Sequence, residues 1–261
     1  MANTTPAIFF GHGNPMNTLQ RSAWTAAWAS IGASMPRPRA VLCISAHWYL
    51  PGTRVTAMPA PRTIHDFGGF PRELYEVQYP APGDPELAHR VQKILSPLSI
   101  ELDESWGLDH GTWSVVRHLY PDAGVPVIQL SIDETKPASF HFDLGRKLAP
   151  LRDEGVLIAG SGNLVHNIRM YSWEGKMPEP YDWAARFDKK ARELMLAGEY
   201  EALIDYEKIG QDAALSIPTP DHYLPLLYVL GSIGQGDRMT FPVEGFDGGS
   251  MSMLAVRVAP A

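Results

Sequence analysis

Short apolar runs broken by helix signals constrain this chain more than any other feature. Residues 8–10, 40–45, 125–130 and 156–159 are such runs, rich in β-branched side chains. Hydrophobicity that is continuous rather than alternating, over so short a length, describes a strand covered on both faces. Between two of the runs, Asp84-Pro85-Glu86 opens a helix as cap, first residue and first-turn acid, and Leu87, Val91, Ile94 and Leu95 then keep to one face. Phe187, Ala191, Leu194 and Met195 repeat that spacing. Strands alternating with helices predict an α/β fold with a central mixed, largely parallel sheet flanked by helices. Residues 239–243 and 251–258 read as two more strands, and the turn-like Phe246-Asp247-Gly248-Gly249-Ser250 predicts that they close a terminal hairpin.

A chain of 261 residues has room for one large domain or two small ones. No repeat, charge block or shift in composition divides it. The proline-rich stretches 57–62 and 175–181 read as surface loops, so residues 1–261 are expected to form a single domain. The net charge of −7 is the wrong sign for a phosphate backbone, which excludes nucleic acid as a partner. Cys43 is the only cysteine, so there is no disulfide framework or thiolate cluster, and a metal would have to be held by His, Asp or Glu. A reducing cytoplasm is the expected compartment. The apolar run at 7–10 has no basic flank and is too short for a signal or a membrane span; no other stretch is long enough either.

The nine histidines are informative because of where several of them fall. His12 and His47 come just after predicted strands, and His166 comes one short step beyond a strand and the glycine turn Gly160-Ser161-Gly162. In α/β sheets ligands gather at the carboxyl ends of strands, so the three could share one rim. His222 follows the stiff Ile217-Pro218-Thr219-Pro220-Asp221 at the mouth of a helix expected to begin near Asp221 with Pro225 in its first turn. His110 lies in a loop before the apolar-periodic residues 115–119. One histidine at a strand end is more often a hydrogen-bonded structural residue than a ligand; five on punctuated backbone shift that balance. His65 reads equally as a pocket residue or a loop-stabilising one, and His89, His118 and His141 read as solvated or packing residues of helices.

Rival motifs fail on spacing. Gly160-Ser161-Gly162-Asn163 follows a strand but lacks the lysine of a phosphate loop and the full dinucleotide pattern, and Ser161 does not sit in a Gly-x-Ser-x-Gly elbow. In Gly11-His12-Gly13-Asn14-Pro15 the small residues beside a histidine suit close approach by a metal or substrate.

These segments, with Ser45-Ala46-His47-Trp48, residues 64–71 and 108–113, Gly160 through His166-Asn167, and Pro218-Thr219-Pro220-Asp221-His222-Tyr223, resemble in order the class III extradiol dioxygenases of the LigB-like superfamily, in the DOPA-cleaving branch. The resemblance spans more than 200 residues of the 261. It implies one α/β domain that binds a divalent metal and opens a catechol ring beside its two hydroxyls with molecular oxygen. It also implies that His12, His47 and His222 are metal ligands, that His166 acts as base, and that His110 contacts bound oxygen or substrate. The protocatechuate-type members carry a glutamate where His222 stands here. An all-imidazole set suits Fe(II) for turnover or Zn(II) as bound, with His166 available as a fourth resting ligand. On the residues alone, a zinc hydrolase that activates water or a non-catalytic metal-binding protein would use the same histidines. The sequence carries no signal of oligomeric state.

Overall fold

The computed structural model describes residues 4–173 and 179–261. Its strands are β1 (Ala7–Gly11), β2 (Ala40–Leu50), β3 (Thr53–Thr56), β4 (Ile100–Asp103), β5 (Val127–Asp133), β6 (Val156–Gly162), β7 (Asp237–Val243), β8 (Phe246–Asp247), β9 (Met251–Ser252) and β10 (Ala255–Pro260). Its α-helices are α1 (Ala23–Ser34), α2 (Arg72–Tyr75), α3 (Pro85–Ile94), α4 (His110–Leu119), α5 (Ala138–Leu148), α6 (Asp182–Ala197), α7 (Tyr200–Ile204), α8 (Gln211–Ser216) and α9 (Leu224–Gly231).

Eight strands form one sheet in the order β4-β3-β5-β2-β6-β1-β10-β7. The central run β5-β2-β6-β1 is parallel, and antiparallel pairs join β3 to β5, β1 to β10 and β10 to β7. The sheet is therefore mixed and largely parallel, as the alternation of strands and helices requires. The period of two sends Phe9, Leu42 and Ile158 into a core shared with α3, α5, α6 and α9, while Ile8, Val41 and Leu157 enter a second core under α1 and α4. Both faces are dry, which is why the runs read as continuously apolar; each such side chain contributes about 1.5–3 kcal/mol by its burial.

Several boundaries differ from the sequence expectation, each for a stated reason. β2 runs on to Leu50 because its ladder to β5 resumes at Tyr49 after losing register beyond Ile44, so His47 lies inside the strand rather than after it. Gly160-Ser161-Gly162 is the end of β6, paired with Phe9-Phe10-Gly11 on one side, and not a turn. β3 and β4 are only four residues each and α1 has no distinct apolar face, so pattern alone did not anticipate them. The terminal hairpin is β7 with β10, and a separate two-stranded β8–β9 ribbon interrupts it where residues 251–258 had read as one strand. Residues 57–62 form a loop. Of the second proline-rich stretch, residues 175–178 lie outside the described residues.

The buried Arg152 guanidinium donates to Thr5 O (2.8 Å), to Ser232 O (2.7 Å) and to both oxygens of Asp237, tying the start of β1 to the end of α9 and to β7. This sets the depth of α9, and with it the segment just before it that carries His222. Among the described residues no helix is long and apolar enough to cross a membrane.

Candidate active site

Because β1, β2 and β6 are parallel neighbours, their carboxyl ends share one edge, and the sequence-predicted histidines meet there. His12 follows β1 and donates its backbone N–H to Gly162 O (3.0 Å). His47 occupies the irregular stretch of β2, where a bulge re-aims a side chain, while its neighbour Trp48 is buried and stacked on Trp106 at 5.6 Å. His222 lies in a turn before α9, with Pro225 in the first turn of that helix as expected. His110 is the first residue of α4 instead of a loop residue, because the Asp109 side chain caps the helix by accepting from Thr112 N (3.1 Å). His166 is bridged to Met251, and its ring lies flat on that of His222 with centroids 3.5 Å apart.

Ligand atoms of His12, His47 and His222 all lie within 4.8 Å of one another. The hydrogen bonds around them settle which nitrogens are free. Ser161 donates its hydroxyl to Gly111 O (2.5 Å), so toward His12 Nδ1, 3.0 Å away, it acts as acceptor, and His12 carries its proton there. His222 Nδ1 is held by the Asp221 carboxylate, and His47 Nδ1 is 3.3 Å from Asp66 Oδ2. Each ring thus has an oxygen behind its Nδ1, hydrogen-bonded in His12 and His222 and 3.3 Å away in His47, which points to Nε2 as the free lone pair. His12 Nε2 and His47 Nε2 face each other at 3.2 Å. Two lone pairs at that distance repel unless a cation or a proton lies between them. Two zinc–nitrogen bonds of about 2.0–2.1 Å at a tetrahedral angle place their nitrogens about 3.3 Å apart. The donor set fits a divalent metal, and the carboxylate or hydroxyl behind each ring is the usual support for a ligating histidine.

Burial and the neighbouring imidazoles hold the His12 and His47 rings well below the ordinary histidine range, and burial above all pushes His166 down to about 2. All three are neutral near pH 7, the form that binds metals and accepts protons. For Asp221 burial acts upward, but the hydrogen bond from His222 Nδ1 outweighs it and keeps the carboxylate ionised.

A cavity of about 410 Å³ opens over the five histidines, with Phe67, Phe70 and Tyr171 on its walls. That is space for one aromatic ring with a small substituent, between apolar walls and a polar floor. His65 does not join the site. Its Nε2–H donates to Val77 O (2.9 Å), the loop-stabilising role of the two readings. His118 donates to Asn17 O (3.1 Å) and His141 pairs with Tyr228 Oη (2.9 Å), both away from the cavity, and His89 is exposed on α3. Sequence reasoning missed Asp66, Ser161 and Asp221 as supports of the rings, although each stands within a segment that carries the family resemblance. Gly11 is small for a reason other than metal approach: a Cβ there would come within 2.6 Å of Ser252 O.

The close packing under His222 is itself testable. A Cβ at Gly162 would lie 2.1 Å from His222 O, so β6 and the His222 turn touch backbone to backbone. Gly162→Ala is expected to push that turn outward and weaken metal binding roughly 10–100-fold, the range seen when support of a ligand is lost. Chelator competition measures it, and wild-type affinity in this variant would show that the turn tolerates the shift.

Residues 14–252 match the family model of the catalytic LigB subunit of aromatic ring-opening dioxygenase. The chain belongs to this family. It is 51% identical over 257 residues to the 4,5-DOPA dioxygenase extradiol of Escherichia coli (strain K12), covering 97% of this chain and 94% of that protein. The Beta vulgaris protein of the same name is 38% identical, covering 96% and 95%. The crystal structure of an uncharacterized protein from Escherichia coli K12 has a TM-score of 0.85 at 46% identity, covering 97% of this chain and 99% of that one. As a LigB family member the chain is an extradiol ring-opening dioxygenase, an oxidoreductase acting on an aromatic substrate with oxygen.

Proposed function

We propose that this dioxygenase opens the ring of a small catechol, DOPA or a simpler analogue such as caffeate, and that His12, His47 and His222 hold one divalent metal for the purpose. The observation that carries the reading is the set of three imidazoles with Nδ1 engaged from behind and Nε2 converging beneath a ring-sized cavity. The relatives named as DOPA dioxygenases support the substrate class. When bound, the metal supplies open positions for the two catechol oxygens and the redox coupling to dioxygen, with Fe(II) suited to turnover and Zn(II) to the same imidazoles at rest.

The protein's part is position and proton control. A free catechol hydroxyl titrates near pKa ~10, as a phenol does, so a base must take its proton for chelation through both oxygens. His166 is the neutral imidazole in place to do so, and a catecholate anion beside it would favour the imidazolium that results. His110 reaches the same cavity from α4 and contacts the oxygen-bearing edge of the substrate. Phe67 and Phe70 hold the ring face and keep water from it. Iron-loaded protein given a panel of catechols in air is expected to consume oxygen and form a yellow ring-opened semialdehyde. No oxygen uptake with ferrous iron confirmed bound would overturn the catechol assignment.

A further inference from the structure

Asp66 stands behind His47, and it also touches His110, so it reaches both halves of the site. It lies in the loop between residues 63 and 71, which Trp113 anchors by donating its indole N–H to Ile64 O (2.7 Å). Its Oδ1 accepts from the backbone N–H of His110 (2.8 Å), in the first turn of α4. Its Oδ2 stands 3.3 Å from His47 Nδ1 and 3.0 Å from His110 Nδ1. The two rings are themselves in contact, with centroids 3.9 Å apart. His110 Nδ1 is fully buried, and among the described residues it has no well-aligned hydrogen-bond partner. Asp66 Oδ2, 3.0 Å away, is near enough to accept its proton. His47, Asp66 and His110 also form a set of potential metal donors, but it uses the Nδ1 side of His47, opposite to the side that faces His12.

We propose that Asp66 is a positioning residue that fixes the tautomer and orientation of His47 and His110 together. Holding the proton of each ring at Nδ1 leaves both Nε2 lone pairs on the cavity side: that of His47 for the metal, and that of His110 for a proton or hydroxyl of the substrate. One carboxylate thereby couples the ring that holds the metal to the ring that meets the substrate. The inference rests on the reading that His47 is a metal ligand.

Asp66→Asn is the discriminating variant. Its carbonyl oxygen can still accept from His110 N–H, so the loop stays docked on α4. Its NH₂ cannot accept a ring proton, and where it points at a ring it demands the opposite tautomer. The expected results are a melting temperature close to that of the parent, zinc affinity weaker by about 10–100-fold in chelator competition, and a changed protonation pattern at the ring nitrogens of His47 or His110 in ¹H–¹⁵N spectra of the zinc-loaded protein. Unchanged affinity together with unchanged ring nitrogens would overturn the proposal. Should the variant not fold, the zinc-loaded parent decides alone: both rings must show Nδ1–H, and Nε2–H on either one refutes the role. A parent protein that takes up no zinc at all would refute the metal site instead, so the two failures are distinguishable.

Discussion

Alanine at His12 or at His47 is expected to abolish stoichiometric metal binding, and ring cleavage with it. Structural zinc sites bind with about 10–16 kcal/mol over four ligands, so one donor is worth about 2.5–4 kcal/mol, on the order of 10²–10³-fold in affinity. The loss should be at the upper end here. The two Nε2 atoms, 3.2 Å apart, face one gap, and removing either ring leaves a metal held there without a donor on that side. Neither variant should unfold the protein, because both side chains lie at the sheet edge and not between its layers. Metal analysis at low free metal, beside a thermal melt, separates the two effects. Full stoichiometric metal in either variant would remove that residue from the site.

His166→Ala should behave in the opposite way. It is expected to keep most of its iron and to bind catechol, yet to lose at least two orders of magnitude in turnover, since removal of a general acid or base costs about 10²–10⁴-fold. The geometry separates the roles: the three mutually close donors are His12, His47 and His222, whereas His166 lies face to face with His222 at 3.5 Å. A ring stacked flat on a ligand cannot also aim its nitrogen along that ligand's bond to the metal, but it can reach a substrate oxygen beside it. Near-normal turnover would take His166 out of the mechanism. Complete loss of metal would make it a fourth ligand.

Much of the site was legible because strand ends are marked in sequence. A buried strand announces itself by continuous hydrophobicity, and a histidine directly after it, as with His12, is placed on the rim by the direction of the chain alone. His47 was found for a partly wrong reason. It was placed after a strand, and it lies within one, on a stretch where the ladder slips. A bulge is a mismatch between two strands and leaves no mark on either one read singly. His110 was expected in a loop, and α4 begins there because the Asp109 carboxylate, which also accepts from Ser45 and Gln129, caps the helix through Thr112 N.

Local physics in the sequence determined the α/β layering, the parallel centre of the sheet, and the five histidines as candidates, because strand hydrophobicity, helix caps and chain direction act within a few residues. It could not decide which nitrogen of each ring is free. For His12 it depends on Ser161, 149 residues away, and for His47 and His110 on Asp66 between them, whereas His222 is set by its neighbour Asp221. Hydrogen bonds act only over about 3 Å, so groups distant in sequence fix a tautomer only once the sheet has brought their strands side by side.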